Sequence, residues 1–204
     1  MAGAHEQMER SEHAEHAAHS NKGIALLISV LALFLAFSET LGKSAQTTAL
    51  NFQIESSDLW NFFQAKNIRR TLTIVATEAA KIDQATTSDD ARKAALAKQI
   101  DEWTKTAARY RSEPEAGNGK GEGTIELARR AKEKEQERDV ALNKYHYFEF
   151  ASAALQIGIV LCSAAVITSM MVLVWIAGGA GVLGILLMAM GLFFPHVHLL
   201  PGAH

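Results

Sequence analysis

The sequence predicts an all-α protein: three transmembrane helices, with a long helical, coiled-coil-like soluble segment between the first and the second. Two observations carry this. All Lys, Arg, Asp and Glu lie between Glu6 and Glu149, and from Phe150 to His204 there is none. A soluble domain of this size needs charge on every surface helix, so the uncharged run implies a solvent other than water. The three prolines, Pro114, Pro195 and Pro201, also fall outside the expected helix interiors, where each would cost about 3 kcal/mol. The net charge of -2 points to no particular partner. Basic patches with interleaved aromatics are missing, which argues against nucleic acid. Cys162 is the lone cysteine, so no intrachain disulfide can form.

Residues 1–22 read as a polar, His-rich tail. Residues 23–42 follow as the first transmembrane helix, flanked by Lys22 and Lys43 and carrying Glu39 as its one charge. A bilayer core of about 30 Å takes roughly 20 apolar residues as helix. Ala36-Phe37-Ser38 could pass for a signal-peptide cleavage site, but the long acidic leader before Lys22 is wrong for the short basic start such peptides need. The uncharged C-terminal run suits two spans, 151–176 and 180–194, with Ala177-Gly178-Gly179 as the break and 195–204 as a short tail. Ala154, Gly158 and Cys162 on one span, and Ala177, Ala180, Gly181 and Gly184 on or before the other, are small residues at helical spacing. Such residues let helices approach closely in lipid.

Residues 43–150 read as the helical soluble domain. Ile68, Leu72, Val75, Ala79 and Ile82 repeat at 4-3-4-3, and so do Leu96, Ile100, Trp103, Ala107 and Tyr110. That is the spacing of a coiled-coil seam. On this pattern Leu72 and Trp103 belong to the core of the soluble hairpin. The first helix should end near Gln84, with Thr86 to Asp89 capping a second that stops before Pro114. Residues 115–123 read as a flexible linker. A third helix starts near Thr124 and runs unbroken into the second span. Its seam (Ala128, Ala131, Glu135, Arg138, Leu142) is poor, so it should be the most solvated. Helix lengths at about 1.5 Å per residue require the linker to climb outward before the third helix descends.

Candidate chemistry is sparse. Glu39 is a carboxylate within a membrane helix, a functional-site hypothesis by default. Gln156 falls near the same leaflet and could hydrogen-bond it. The bland alternative is an ion pair with Lys43, four residues on. His13, His16 and His19, with His5 and Glu12, are weak candidates for a divalent metal. Steps of three turn about 300° each on a helix, so the rings drift around the axis. His196, His198 and His204 form a second group, on the opposite side of three spans. Gly117-Asn118-Gly119-Lys120-Gly121 fails the phosphate-loop pattern, with Pro114 and Gly121 where Gly and Ser or Thr are required. Trp60, Phe62 and Phe63 read as packing between helices, and no cofactor is expected.

Three segments carry a resemblance: NKGIALLISVLALFLAFSETLGKSAQT (Asn21 to Thr47), DLWNFFQAKNIR (Asp58 to Arg70) and YHYFEFASAALQIGIVL (Tyr145 to Leu161). Together they resemble a bacterial membrane-protein family catalogued as domain of unknown function 4337. The resemblance implies a multi-pass protein of the bacterial inner membrane and implies no activity.

The expected function is a non-enzymatic, membrane-anchored interaction or scaffold protein, with the lipid bilayer and either a homo-oligomer or another membrane protein as partners. The alternative is a small oligomeric proton or cation conductance element using Glu39. For orientation, Lys43, Lys132, Lys134, Arg138 and Lys144 outweigh Arg10 and Lys22 near the span ends. That count puts the helical domain in the cytoplasm.

Overall fold

A computed structural model describes residues 2–197, with side chains from Lys22 onward. Among the described residues all regular structure is helical: α1 (Ala2–Thr86), α2 (Asp90–Arg111), a short α3 (Ala116–Gly119), α4 (Thr124–Thr168) and α5 (Met171–Phe193). Three helices are long and apolar enough to cross a membrane: the Lys22–Thr86 stretch of α1, α4 and α5. The chain divides into two compact units, Met1–Ala49 with Asp139–His204, and Leu50–Arg138.

The first unit packs α1, α4 and α5 around Ile24, Leu31, Leu155, Cys162 and Ala177. Glycine makes this packing close. A Cβ at Gly158 would lie 3.2 Å from the Ala177 carbonyl oxygen and 3.2 Å from Leu31 Cδ1. One at Gly181 would meet Leu31 Cδ2 at 2.5 Å, and one at Gly184 would meet Leu155 Cγ at 2.8 Å. Leu31 of α1 thus fills a notch cut by two glycines, one on α4 and one on α5. Tyr147 is buried beside Gly191 and donates its hydroxyl to the Val197 carbonyl oxygen at 2.8 Å.

The break between the last two helices is not at Ala177-Gly178-Gly179. It falls at Ser169 and Met170, so the helices are Thr124–Thr168 and Met171–Phe193 rather than spans 151–176 and 180–194. Ser169 is left-handed (φ 56) and Met170 is extended. Glycine breaks helices in water by offering the backbone other partners. Gly178 and Gly179 stay inside α5, flanked along the chain by apolar residues, and a Cβ at either would meet nothing within 4 Å.

In the second unit α2 opens as its cap chemistry predicts, with the Asp89 carboxylate accepting from the backbone N–H of Ala91 and Arg92. The inward face of α1 is another matter. Ser56, Lys66, Thr77 and Ala80 are buried and Phe63 and Thr73 half-buried, while Ile68, Leu72, Val75 and Ile82 are 60–68% exposed. The expected α1 seam therefore faces away from its own hairpin, and Leu72 is not a core residue. The α2 seam is half-buried at Leu96, Ile100, Trp103, Ala107 and Tyr110. The two α1 stripes are two residues apart in phase, about 200° around a helix.

Polar contacts accompany the rotation. Lys66 Nζ lies 3.4 Å from Glu113 and 3.8 Å from Glu122, the Ser56 hydroxyl donates to the Ala131 carbonyl oxygen at 3.3 Å, and the Trp60 indole N–H donates to Glu135 at 2.8 Å. Trp60 also packs edge-on against Phe63, with ring centroids 5.4 Å apart. The most solvated helix is α2, which buries no residue, and not α4, whose Leu127 and Ala131 are fully buried.

Residues 113–123 form a folded cap rather than a flexible linker. Glu122 N–H donates to the Glu113 carbonyl oxygen at 3.1 Å, and the Thr124 hydroxyl donates to that of Arg111 at 3.3 Å. The end of α2 thus sits beside the start of α4, and no outward climb is needed. Gly117, Asn118, Gly119 and Gly121 take left-handed backbone here, which glycine adopts without the Cβ penalty.

Candidate functional site

Within the first unit, α1 and α4 meet where each changes from charged to uncharged sequence. The Ser38 hydroxyl, fully buried, donates to the Phe148 carbonyl oxygen at 2.9 Å and ties the two helices together. Beside this tie an open groove of about 510 Å³ is lined by both helices. On α1, Glu39, Lys43 and Gln46 recur at four and three residues and so share one face. On α4, Tyr145, Glu149, Ser152 and Gln156 do the same across the groove.

The structure brings Glu39 and Gln156 together: the Gln156 amide donates to Glu39 Oε1 at 3.4 Å. Among the described residues no ion pair joins Glu39 to Lys43, so the helix-end pair weighed from sequence does not form. Glu149 accepts from the Tyr145 hydroxyl at 3.4 Å and lies 3.3 Å from His146 Nδ1. Both helices thus present a carboxylate to the groove, and α1 adds an ammonium.

Tyr145, Glu149 and Gln46 were not singled out from sequence. The available signal was positional: Glu149 is the last charge before the uncharged C-terminal run, and Glu39 and Lys43 are the first two after the uncharged stretch 23–38.

The histidines do not add to this site. The side chains of His13, His16 and His19, with His5 and Glu12, lie outside the described residues, as do His198 and His204. His196 is exposed. Among the described residues no group of three or more His, Cys, Asp or Glu is placed to hold a metal ion.

Of the small residues expected to pack, Gly158, Cys162, Ala177, Gly181 and Gly184 are buried, while Ala154 and Ala180 are half-buried. Desolvated among apolar neighbours, Cys162 is inert packing.

No curated protein and no solved structure matches the chain significantly. One family profile does, Domain of unknown function (DUF4337), and it aligns with residues 20–194. That stretch takes in α1 from its first apolar residues, the folded cap, the groove and all of the α4–α5 hairpin. The chain belongs to the family Domain of unknown function (DUF4337).

Proposed function

We propose that this is a non-enzymatic integral membrane protein, of a bacterial inner membrane, whose second unit associates with further copies of itself. The observation that carries the reading is the exposed stripe on α1: Ile68, Leu72, Val75 and Ile82, each at least 60% open to solvent, with Ala79 between them. A stripe like this exposes on the order of 400 Å² of apolar surface, the size that marks an interaction site.

A second copy fits it better than an unrelated partner. A stripe of period 3.5 matches itself in parallel register, each residue meeting its own equivalent, and anchors in one bilayer hold copies parallel. Leu72 and Ala79 then occupy the a positions and Ile68, Val75 and Ile82 the d positions. β-Branched residues at d with Leu at a favour more than two strands.

The test is disulfide cross-linking in a Cys162→Ser background. Val75→Cys should link to itself in membranes, and Thr73→Cys, on the inward face, should not. Native mass spectrometry should give an oligomer that Leu72→Glu reduces to a monomer. A monomer of the wild-type chain at every concentration defeats the reading.

A second reading, a proton or cation path past Glu39, is favoured by one observation: an exposed carboxylate within an apolar stretch, bonded by an amide from the next helix. Proton or cation flux into liposomes, lost in Glu39→Gln, would support it. The Lys and Arg count favours a cytoplasmic second unit. A single cysteine at Gly119, labelled by an impermeant maleimide only after lysis of spheroplasts, would agree with that orientation.

A further inference from the structure

We propose that the groove between α1 and α4 binds the headgroup of a phosphatidylethanolamine molecule, with the Glu39 and Glu149 carboxylates receiving the primary ammonium and Lys43 the phosphate. This rests on the membrane reading above and is independent of self-association.

The groove lies where both helices pass from charged to uncharged sequence, the level at which a bilayer presents its headgroups. Its chemistry has both signs. Two carboxylates rule against a purely anionic headgroup, since like charges repel at short range. Lys43 makes no ion pair with Glu39 although the two stand four residues apart. Glu39 is held by the Gln156 amide and Glu149 by Tyr145 and His146, so neither carboxylate is neutralised by Lys43, and a zwitterion offers a partner to both signs at once.

The acceptors choose the kind of cation. Carboxylates and the Gln156 amide oxygen reward N–H donors, and charge-assisted hydrogen bonds are about twice as strong as neutral ones. A quaternary ammonium has no N–H to give and is recognised by aromatic cages. This groove holds Tyr145 and Phe148 from one helix and no cage of several rings. A primary ammonium is the better fit.

The faces below the groove suit the rest of the lipid. The α1 face that carries Lys43 and Glu39 continues as Ala36 and Ala32, both exposed, and the α4 face below Gln156 continues as exposed Val160. Acyl chains leaving the headgroup would run along this apolar track. A soluble phosphoethanolamine would gain nothing there.

The full chain, reconstituted in nanodiscs and released for native mass spectrometry, tests the site with lipids of identical acyl chains. Phosphatidylethanolamine should be retained about fivefold over phosphatidylcholine and phosphatidylglycerol, and retention should fall stepwise as the ammonium is mono- and dimethylated. This methylation series uses the wild-type protein and so does not depend on any variant folding. Glu39→Gln with Glu149→Gln should bring the lipids to parity while leaving the helical circular dichroism unchanged. Excess O-phosphoethanolamine in the buffer should fail to displace the lipid.

Equal retention of the three lipids by the wild-type chain overturns the proposal. So does preference for phosphatidylglycerol, which would leave Lys43 acting alone, and so does displacement by the soluble compound. A chain that does not enter nanodiscs at all fails the membrane reading instead, which keeps the two failures apart.

Discussion

In the first unit α1 turns Ile24, Leu31, Ser38, Gly42, Ala45 and Ala49 inward; in the second the same two heptad positions carry Ser56, Lys66, Thr73, Thr77 and Ala80. The phase never slips between Ile24 and Ala80, since each of these residues lies a multiple of seven beyond Ile24, or four more than such a multiple. What differs is the chemistry buried. One stretch closes on leucine and glycine, and the other on a lysine held between two carboxylates. Both units also have apolar residues on the outside of α1. In the first, Leu26, Leu33 and Phe37 are more than half exposed, as lipid contact would require. In the second, Ile68, Leu72, Val75 and Ile82 are also more than half exposed, and the self-association proposed above would cover them. The inside of a helix is therefore not read from where its apolar residues lie, but from which face its neighbours can satisfy.

The sharpest way to break this contrast is a pair of truncations. Leu31→Ala should destabilise the first unit by about 2–5 kcal/mol, because the side chain fills a notch between Gly158 and Gly181. Leu72→Ala should leave thermal unfolding of the monomeric chain almost unchanged and instead weaken the self-association proposed above. Circular dichroism melts and native mass spectrometry separate the two effects; a large melting loss for Leu72→Ala in monomer would put that residue back in the core.

Next in size is Lys66→Ala. It leaves Glu113 and Glu122 without their shared cation at the folded cap and should cost about 1–3 kcal/mol. Denaturant unfolding measures it. Lys66→Met, which keeps an unbranched apolar stem but loses the ammonium that lies 5.4 Å from the Phe62 ring centroid, should lose about as much, and a markedly smaller loss would assign the effect to packing instead.

At the turn of the first unit, Ser169→Gly should stabilise by about 1 kcal/mol, because glycine relieves the left-handed backbone. A lower melting temperature in this variant would mean the hydroxyl contributes more than the strain removes.

The smallest effect is a pH dependence in the second unit. Burial pushes the Glu126 carboxyl up, but hydrogen bonds from the Ser112 hydroxyl and the backbone N–H groups of Glu126, Glu113 and Gly123 outweigh it, and the net shift is downward. The stability this adds is present above the unfolded pKa of about 4.3 and is lost as pH falls through the lower folded value. The melting temperature of wild type should exceed that of Glu126→Gln at pH 6 and converge with it near pH 3. A gap that persists at pH 3 would refute the assignment.

Much of the fold was legible in the sequence. The uncharged run after Glu149, the cap at Asp89 and the start of α4 at Thr124 are local signals, and local chemistry decided them. The Glu39–Gln156 contact was legible too, because both residues fall at matching depth in neighbouring apolar stretches. Three things were not. The phase of α1 was hidden because periodicity finds an apolar stripe without saying which body covers it. The turn at Ser169 carries neither glycine nor proline, while the glycines at 178 and 179 look like a break and serve as helix. The cap at 113–123 depends on Lys66, nearly fifty residues earlier, which no local pattern connects to it.

The two-residue turn at Ser169 and Met170 has a consequence for biosynthesis. No Lys, Arg, Asp or Glu lies between Phe150 and Val197, and α4 and α5 are joined with no polar loop. Carrying a charged side chain through a bilayer centre costs about 2.5–3.5 kcal/mol on insertion scales. In the membrane protein proposed above, a hairpin free of that cost would be able to partition as one piece, its turn crossing ahead of both helices.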